Sequence, residues 1–308
     1  MTMYFDPPPT IAARSFARLP DALRMRGADT EWHRGQPGGY PEHSFLEGPA
    51  FDRDGTLWCV DIPHGRIFRV SPQGEFTQAA KYDGEPNGLA IHRDGRIFIA
   101  DYANGIMVLD PVTLKVEPFL TRVRLERLKA VNDLVFANNG DLYFTDQGLT
   151  GLHDPTGRVF RVRAVDGHVE CLLDNVPSPN GVALDPSGSV LYVAVTRANA
   201  VWRVPLMPDG TIAKVGNFIQ LSGGGGPDGL AVDSDGNLAI AHVGLGTVWL
   251  FDKRGEPIAR IRSSCGHNTT NIAFGGPDGR TLFITESESG SLLQADLPTA
   301  GLRLYSHS

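Results

Sequence analysis

The sequence predicts an all-β protein, a six-bladed β-propeller whose four-stranded antiparallel blades surround a central channel. Three observations carry that prediction. A polar residue followed eight positions later by a turn glycine recurs six times: Glu47 with Gly55, Asn87 with Gly95, Asn132 with Gly140, Asn180 with Gly188, Asp228 with Gly236 and Asn271 with Gly279. The polar members lie 40, 45, 48, 48 and 43 residues apart, which is the period of a propeller blade. Between them run segments rich in β-branched and aromatic residues, too short for helices and broken by Asp- and Gly-bearing turns.

Each repeat reads as four strands. The polar anchor opens an apolar run, such as Leu89-Ala90-Ile91 or Leu230-Ala231-Val232. A tight turn follows, as in Arg53-Asp54-Gly55, and such turns between apolar runs signal hairpins. The second strand reads Leu57-Trp58-Cys59-Val60 or Leu142-Tyr143-Phe144-Thr145, and the third Ile67-Phe68-Arg69-Val70 or Val201-Trp202-Arg203-Val204. A less regular fourth strand completes the unit. Residues 1–30, with Pro7-Pro8-Pro9, read as an arm outside the blades, and 31–308 as a single propeller domain. An open ring would expose an unpaired edge. Either 31–36, ahead of the first blade, or 302–307, after the last, is therefore expected to close it.

Connectivity then fixes where the polar residues meet. An anchor that begins the innermost strand sits at one mouth of the channel, and the antiparallel second strand returns to that mouth. The second strands end near Asp61, Asp101, Asp146, Thr196, His242 and Glu286. Two sets of polar groups are thus expected at one end of the channel. A lone Pro-Asn-Gly is an ordinary turn. Here Val131-Asn132-Asp133 and Thr270-Asn271-Ile272 keep the Asn without the Gly, and two anchors, Glu47 and Asp228, are acidic. Carboxylates converging on one channel repel unless a cation lies between them.

The bulk numbers narrow the partners. A net charge of −7 and a pI near 5.7 argue against nucleic acid or an anionic membrane surface. Cys59, Cys171 and Cys265 are widely spaced and lack a Cys-x-x-Cys, so neither a disulfide framework nor a zinc site is indicated. With no basic leader and no long apolar run, a cytoplasmic protein is expected. Nothing in the sequence specifies an oligomeric state.

Glu47, Asn132, Asn180 and Asp228 offer four oxygen donors and two negative charges, a set suited to Ca2+. Zinc or copper would call for His or Cys clusters, and the nine histidines show no such spacing. Mn2+, Zn2+ or Mg2+ remain alternative occupants.

The runs Leu46-Glu47-Gly48-Pro49, Val131-Asn132-Asp133, Pro179-Asn180-Gly181 and Pro227-Asp228-Gly229 resemble those of the senescence-marker-protein/gluconolactonase (regucalcin-like) family. The stretch Thr270-Asn271-Ile272-Ala273-Phe274-Gly275-Gly276-Pro277-Asp278 is similar to its last blade. The resemblance spans residues 44–297 and rests on the order and spacing of the motifs together. It implies a six-bladed propeller, a divalent metal in the channel and hydrolysis of small lactones, gluconolactone-like sugar lactones among them. By position it assigns metal-ligand places to Glu47, Asn132, Asn180 and Asp228.

Ester hydrolysis at such a metal needs a separate base, because calcium lowers the pKa of bound water far less than zinc does. Asp228 is the first candidate and His242 the second, since imidazole titrates near neutrality. Asn87, Asn271 and Lys129 are expected to contact substrate, and Asp133 to orient a ligand. Arg122 and Arg124 read as a solvated face, while residues 147–157 and 223–226 read as lid loops. No Gly-x-Ser-x-Gly and no dinucleotide fingerprint occur. Two other readings use the same architecture. One is a phosphotriesterase-like hydrolase; the other is a binding propeller plugged by a structural metal.

Overall fold

The computed structural model describes residues 7–27, 29–36, 40–41 and 43–308. Six four-stranded antiparallel units follow one another, and the innermost strand of each neighbours that of the next, the sixth returning to the first. The protein is a six-bladed β-propeller. The innermost strands are Leu46–Phe51, Pro86–Ile91, Val131–Phe136, Pro179–Leu184, Gly226–Val232 and Thr269–Gly275. Six apolar clusters fill the structure, and several bridge adjacent blades. One packs Ile240 and Leu238 of blade five against Ala194 and Tyr192 of blade four. Among the described residues no helix is long and apolar enough to cross a membrane.

Ring closure comes from neither expected segment. Residues Arg14–Arg18, within the stretch expected to lie outside the blades, pair antiparallel with Ser291–Asp296 as the fourth strand of blade six. Thr10–Ala12 adds a fifth, parallel strand to blade five by pairing with Pro257–Arg262. The N-terminal stretch thus ties the last two blades together and covers an edge that would otherwise be open. Arg14-Ser15-Phe16-Ala17-Arg18 shows no alternation of polar and apolar residues and follows the tract Pro7-Pro8-Pro9, so it carries little strand signal in the sequence. Glu31–Gly35 is instead a short helix capped by Thr30, and Tyr305–His307 is a 3-10 turn at the far end of the channel.

One local device repeats in every blade. The pairing of innermost and second strands slips after its first one or two pairs, between Glu47 and Ala50, Pro86 and Leu89, Val131 and Leu134, Pro179 and Val182, Pro227 and Leu230, and Thr269 and Ile272. Two residues there oppose one, which is a β-bulge. In blades two to six the bulged pairs are Asn87-Gly88, Asn132-Asp133, Asn180-Gly181, Asp228-Gly229 and Thr270-Asn271. In blade one the bulge follows Glu47 directly.

This register corrects one sequence expectation. The position equivalent to Asn132 and Asp228 in blade six is Thr270, and Asn271 lies one residue further, level with Asp133. A longer turn through Gly275-Gly276-Pro277 shifts the count to the turn glycine by one.

Candidate metal centre and active site

Glycine follows the anchor in four blades because the innermost strands meet there. A Cβ on Gly48 would strike the backbone of Asn87, one on Gly181 the backbone of Asp228, one on Gly88 that of Asp133, and one on Gly229 that of Asn271. Asp133 and Asn271 are the two side chains admitted at this level. In both their blades the opposing residue is a threonine. Asp133 N donates to Thr145 Oγ1 at 3.1 Å and Asn271 N to Thr285 Oγ1 at 2.8 Å, so the amide freed by the bulge keeps a partner.

The anchor level holds Glu47, one residue ahead of its bulge, with the first bulge residues Asn87, Asn132, Asn180, Asp228 and Thr270; all but Thr270 are expected ring positions, and all six are buried. Asn132 donates through Nδ2 to Gln147 Oε1 at 2.9 Å and to the Tyr102 hydroxyl at 3.3 Å. Gln147 is fixed in turn, its Nε2 donating to Ser178 Oγ at 2.9 Å. With its nitrogen so committed, Asn132 keeps its carbonyl oxygen for another partner. Glu47 Oε2 accepts from Gly48 N at 2.6 Å and from Asn271 Nδ2 at 2.8 Å. The Asn180 side chain favours the ionised form of the Asp228 carboxyl. Among the described residues neither Glu47 nor Asp228 forms an ion pair with lysine or arginine.

Electrostatics mark the cluster as deficient in positive charge. Burial pushes the Glu47 carboxyl up to about 7, against the pull of its bonds from Gly48, Asn271 and Thr270. Burial, with the Glu47 charge adding to it, pushes Asp133 up to about 8. Asp228 is raised well above the usual carboxylate range by burial and then by Glu47 and Asp133, while Asn180 and Arg197 pull it down. Buried acids that raise one another are stabilised by a cation among them. The free donors are oxygens of carboxylates and amides, which favour a hard ion. No group of three or more His, Cys, Asp or Glu side chains positioned to hold a metal occurs among the described residues. The expected set holds only two such carboxylates beside its amides, so the residues present fit a calcium-type ion rather than a zinc-type one.

Other expected residues are engaged elsewhere. His242 is fully buried; its Nδ1 accepts from Trp249 Nε1 at 3.1 Å and its Nε2 donates to Gly223 O at 2.9 Å. Both nitrogens are used and burial lowers the pKa, so the ring clamps the glycine run instead of standing ready as a base. Lys129 donates through Nζ to Thr156 O at 2.7 Å and Thr156 Oγ1 at 2.9 Å, spending its charge on the 147–157 insertion. Asn271 uses its nitrogen on Glu47 and its oxygen on Ile272 N at 2.8 Å, which makes it a brace for the carboxylate rather than a substrate contact. Asp133 accepts from Leu134 N at 2.8 Å and Val182 N at 3.2 Å, joining blades three and four. Asn87 stays in the ring, buried.

Three acids of the second polar set are spent on neighbouring strands and loops. Asp61 binds Arg66 and Phe45 N, Asp146 binds Arg158 with Lys129 N and Ala130 N, and Asp101 accepts from the Tyr82 hydroxyl and Glu85 N. These acids stitch strand ends together. The loops read as lids are also pinned: Ser178 N donates to Thr150 Oγ1 at 3.0 Å, and Gly223 O accepts from both His242 and Asn199. Sequence reasoning missed Gln147, Tyr102 and Arg197 at this mouth. Their signal is positional, one residue past the expected ends Asp146, Asp101 and Thr196. At the opposite end the channel widens into a cavity of ≈ 1020 Å³, lined by apolar residues such as Leu134, Phe136, Leu184 and Val232 and by the C-terminal residues 300–307.

A family model described as the SMP-30/Gluconolactonase/LRE-like region matches residues 45–288, spanning all six innermost strands. The chain belongs to that family. Lactonase drp35 of Staphylococcus epidermidis is 35% identical to it over 254 residues, 79% of this chain and 74% of the relative. Lactonase drp35 of Staphylococcus aureus is 35% identical over 227 residues, 70% and 69% of the two chains. Among solved structures, a gluconolactonase from Xanthomonas campestris superposes with a TM-score of 0.73 at 26% identity, covering 84% of this chain and 88% of that one. A calcium-binding protein, regucalcin, from Agrobacterium tumefaciens superposes with a TM-score of 0.77 at 24% identity, covering 97% and 99%, a likeness of fold.

Proposed function

We propose that this member of the SMP-30/gluconolactonase family is a metal-dependent lactonase working at the bulge ring. The observation that carries the reading is that ring itself. Two buried carboxylates without cationic partners and an amide with its nitrogen tied back surround one channel, in a chain 35% identical to proteins named lactonases.

Glu47, Asn132, Asn180 and Asp228 would hold the ion, with Ca2+ as the best match to an all-oxygen set. A bound divalent cation supplies Lewis-acid polarisation of an ester carbonyl. The chain's residues supply the rest. Gln147 and Tyr102 hold the Asn132 amide with its oxygen toward the channel, and Asn271 with Gly48 N holds the Glu47 carboxylate. Asp228 accepts the proton of the attacking water; Asn180 and Arg197 favour its ionised form against the cost of burial. The Tyr102 hydroxyl, which accepts from Asn132, keeps its own proton to donate to a substrate oxygen.

The test is Asp228→Asn assayed on a lactone panel by acid release, with metal content measured alongside. The isosteric amide keeps an oxygen donor but cannot accept the proton. Turnover should fall by about 100-fold or more with the metal retained. Near-normal rates in a metal-loaded variant would refute the assignment of the base. A wild-type protein that opens no lactone with metal present would refute the lactonase reading.

A further inference from the structure

The cations around the polar mouth differ in what they do with their donors. Arg66 binds Asp61 and Leu23 O, Arg158 binds Asp146 and Arg127 O, Arg262 binds Thr247 Oγ1 and Leu245 O, Arg24 binds Leu19 O and Ser289 O, and Lys129 binds Thr156. Arg197 is exposed and makes no hydrogen bond or ion pair among the described residues. It sits in the 3-10 turn Thr196–Ala198, which is anchored beside the ring: Thr196 Oγ1 donates to Pro227 O at 2.7 Å, one residue from Asp228. Its stem runs along the insertion, since a Cβ added to Gly151 would lie 3.7 Å from Arg197 Cγ. Its charge is felt by Asp228, Tyr40 and Tyr102 together. Tyr102 touches Asn132, and the Tyr40 ring packs 5.1 Å from Phe45, two residues ahead of Glu47. A guanidinium and two phenols therefore border the ring, from the segment ahead of blade one and from blades two and four.

We propose that Arg197, with the hydroxyls of Tyr40 and Tyr102, is an anion subsite that selects lactones carrying a free carboxylate. The proposal rests on the lactonase reading and deepens it. A guanidinium with its fork unspent matches a planar carboxylate in a bidentate pair. One arginine next to three buried acids suits a single negative charge better than a phosphate dianion, whose second charge would meet Glu47, Asp133 and Asp228. The phenols add donors to the carboxylate oxygens while presenting apolar rings to the lactone. The substrate class implied is a sugar-acid or other dicarboxylic lactone, with the ring ester at the metal and the free acid at Arg197.

The test compares a lactone bearing a carboxylate with the primary amide of the same lactone, using metal-loaded wild type, Arg197→Ala, Arg197→Lys and, as control, Arg203→Ala on the same blade. In wild type the carboxylate substrate should have the lower KM. Arg197→Ala should cut the ratio of kcat/KM for acid over amide by about tenfold or more, through KM. Arg197→Lys should recover part of that ratio, because it restores charge without the fork, and Arg203→Ala should leave it unmoved. An unchanged ratio in Arg197→Ala, or equal losses on both substrates, would overturn the subsite. A phosphorylated lactone that beats the carboxylate in wild type and loses that advantage in Arg197→Ala would overturn the carboxylate assignment. Should wild type hydrolyse none of these lactones, the lactonase reading fails. Calorimetric binding of the carboxylated lactone, weakened about tenfold in Arg197→Ala or not, then decides the subsite alone.

Discussion

At the scale of single residues, the site is an exercise in committing hydrogen-bond groups. An asparagine offers a donor end and an acceptor end, and which end meets the channel depends on where the other is spent. Asn132 spends its nitrogen on Gln147 and Tyr102; Asn271 spends both ends inside the protein. Two amides that look alike in the sequence therefore do different work. Gln147→Ala frees the Asn132 amide to rotate, and its calcium affinity by calorimetry should weaken about tenfold, the usual loss when a group that orients a ligand is removed. Full-strength binding in that variant would mean that the ring alone sets the amide. The anchors Glu47, Asn87, Asn132, Asn180 and Asp228 were legible as a pattern because an acid or an amide recurred at blade spacing. Gln147, Tyr102 and Arg197 were not, because each occurs in one blade only and takes its meaning from its neighbours in space.

At the scale of elements, the bulge is the unit that makes the mouth. Two residues opposing one turn the anchor out of the strand ladder, and the residue after it is pressed against the next blade. Gly229 shows the constraint, since a Cβ there would come 2.7 Å from Asn271 Cα, a backbone atom that cannot swing aside. Gly229→Ala should cost about 1–3 kcal/mol of stability, read as a fall in Tm. Calcium binding should weaken as well, because Asn271 braces Glu47. A variant as stable as wild type would show that the blades can part without strain. The sequence displayed these glycines as turn signals. Only the pairing register shows them as contact points, and it moves Asn271 off the ring by one residue in favour of Thr270. The slip passed unseen because an eight-residue count cannot tell a longer hairpin turn from a displaced anchor.

At the scale of the whole molecule, the wheel concentrates acids from blades one, three and five in one buried place. Glu47 and Asp133 are raised to about 7 and about 8, above their ordinary values near 4.5 and 3.8. In the metal-free protein the folded state thus holds protons that the unfolded chain releases. The stability they allow is present at low pH and is lost as pH rises from the ordinary carboxylate range through 7 and 8. The chelated protein should melt at a lower temperature at pH 8 than at pH 6, and added calcium should raise Tm more at pH 8 than at pH 6. Equal metal effects at both values would mean that these acids do not sense the ion. The wheel also depends on Arg14–Arg18, which joins the start of the chain to its last blade.

By itself the sequence determined the blade number, the strand pattern within each blade and five polar anchors near the start of the innermost strands. These follow from local signals that repeat: alternating apolar runs, turn glycines and an anchor in fixed register. The tertiary structure decided which strand closes the ring, which histidine and lysine are already spent, and which amide keeps an oxygen free. Those outcomes arise from contacts between residues as far apart as Arg14 and Gln294, or Glu47 and Asn271. Such contacts occur once each, so no periodicity records them; they exist only when six sheets have closed around one axis.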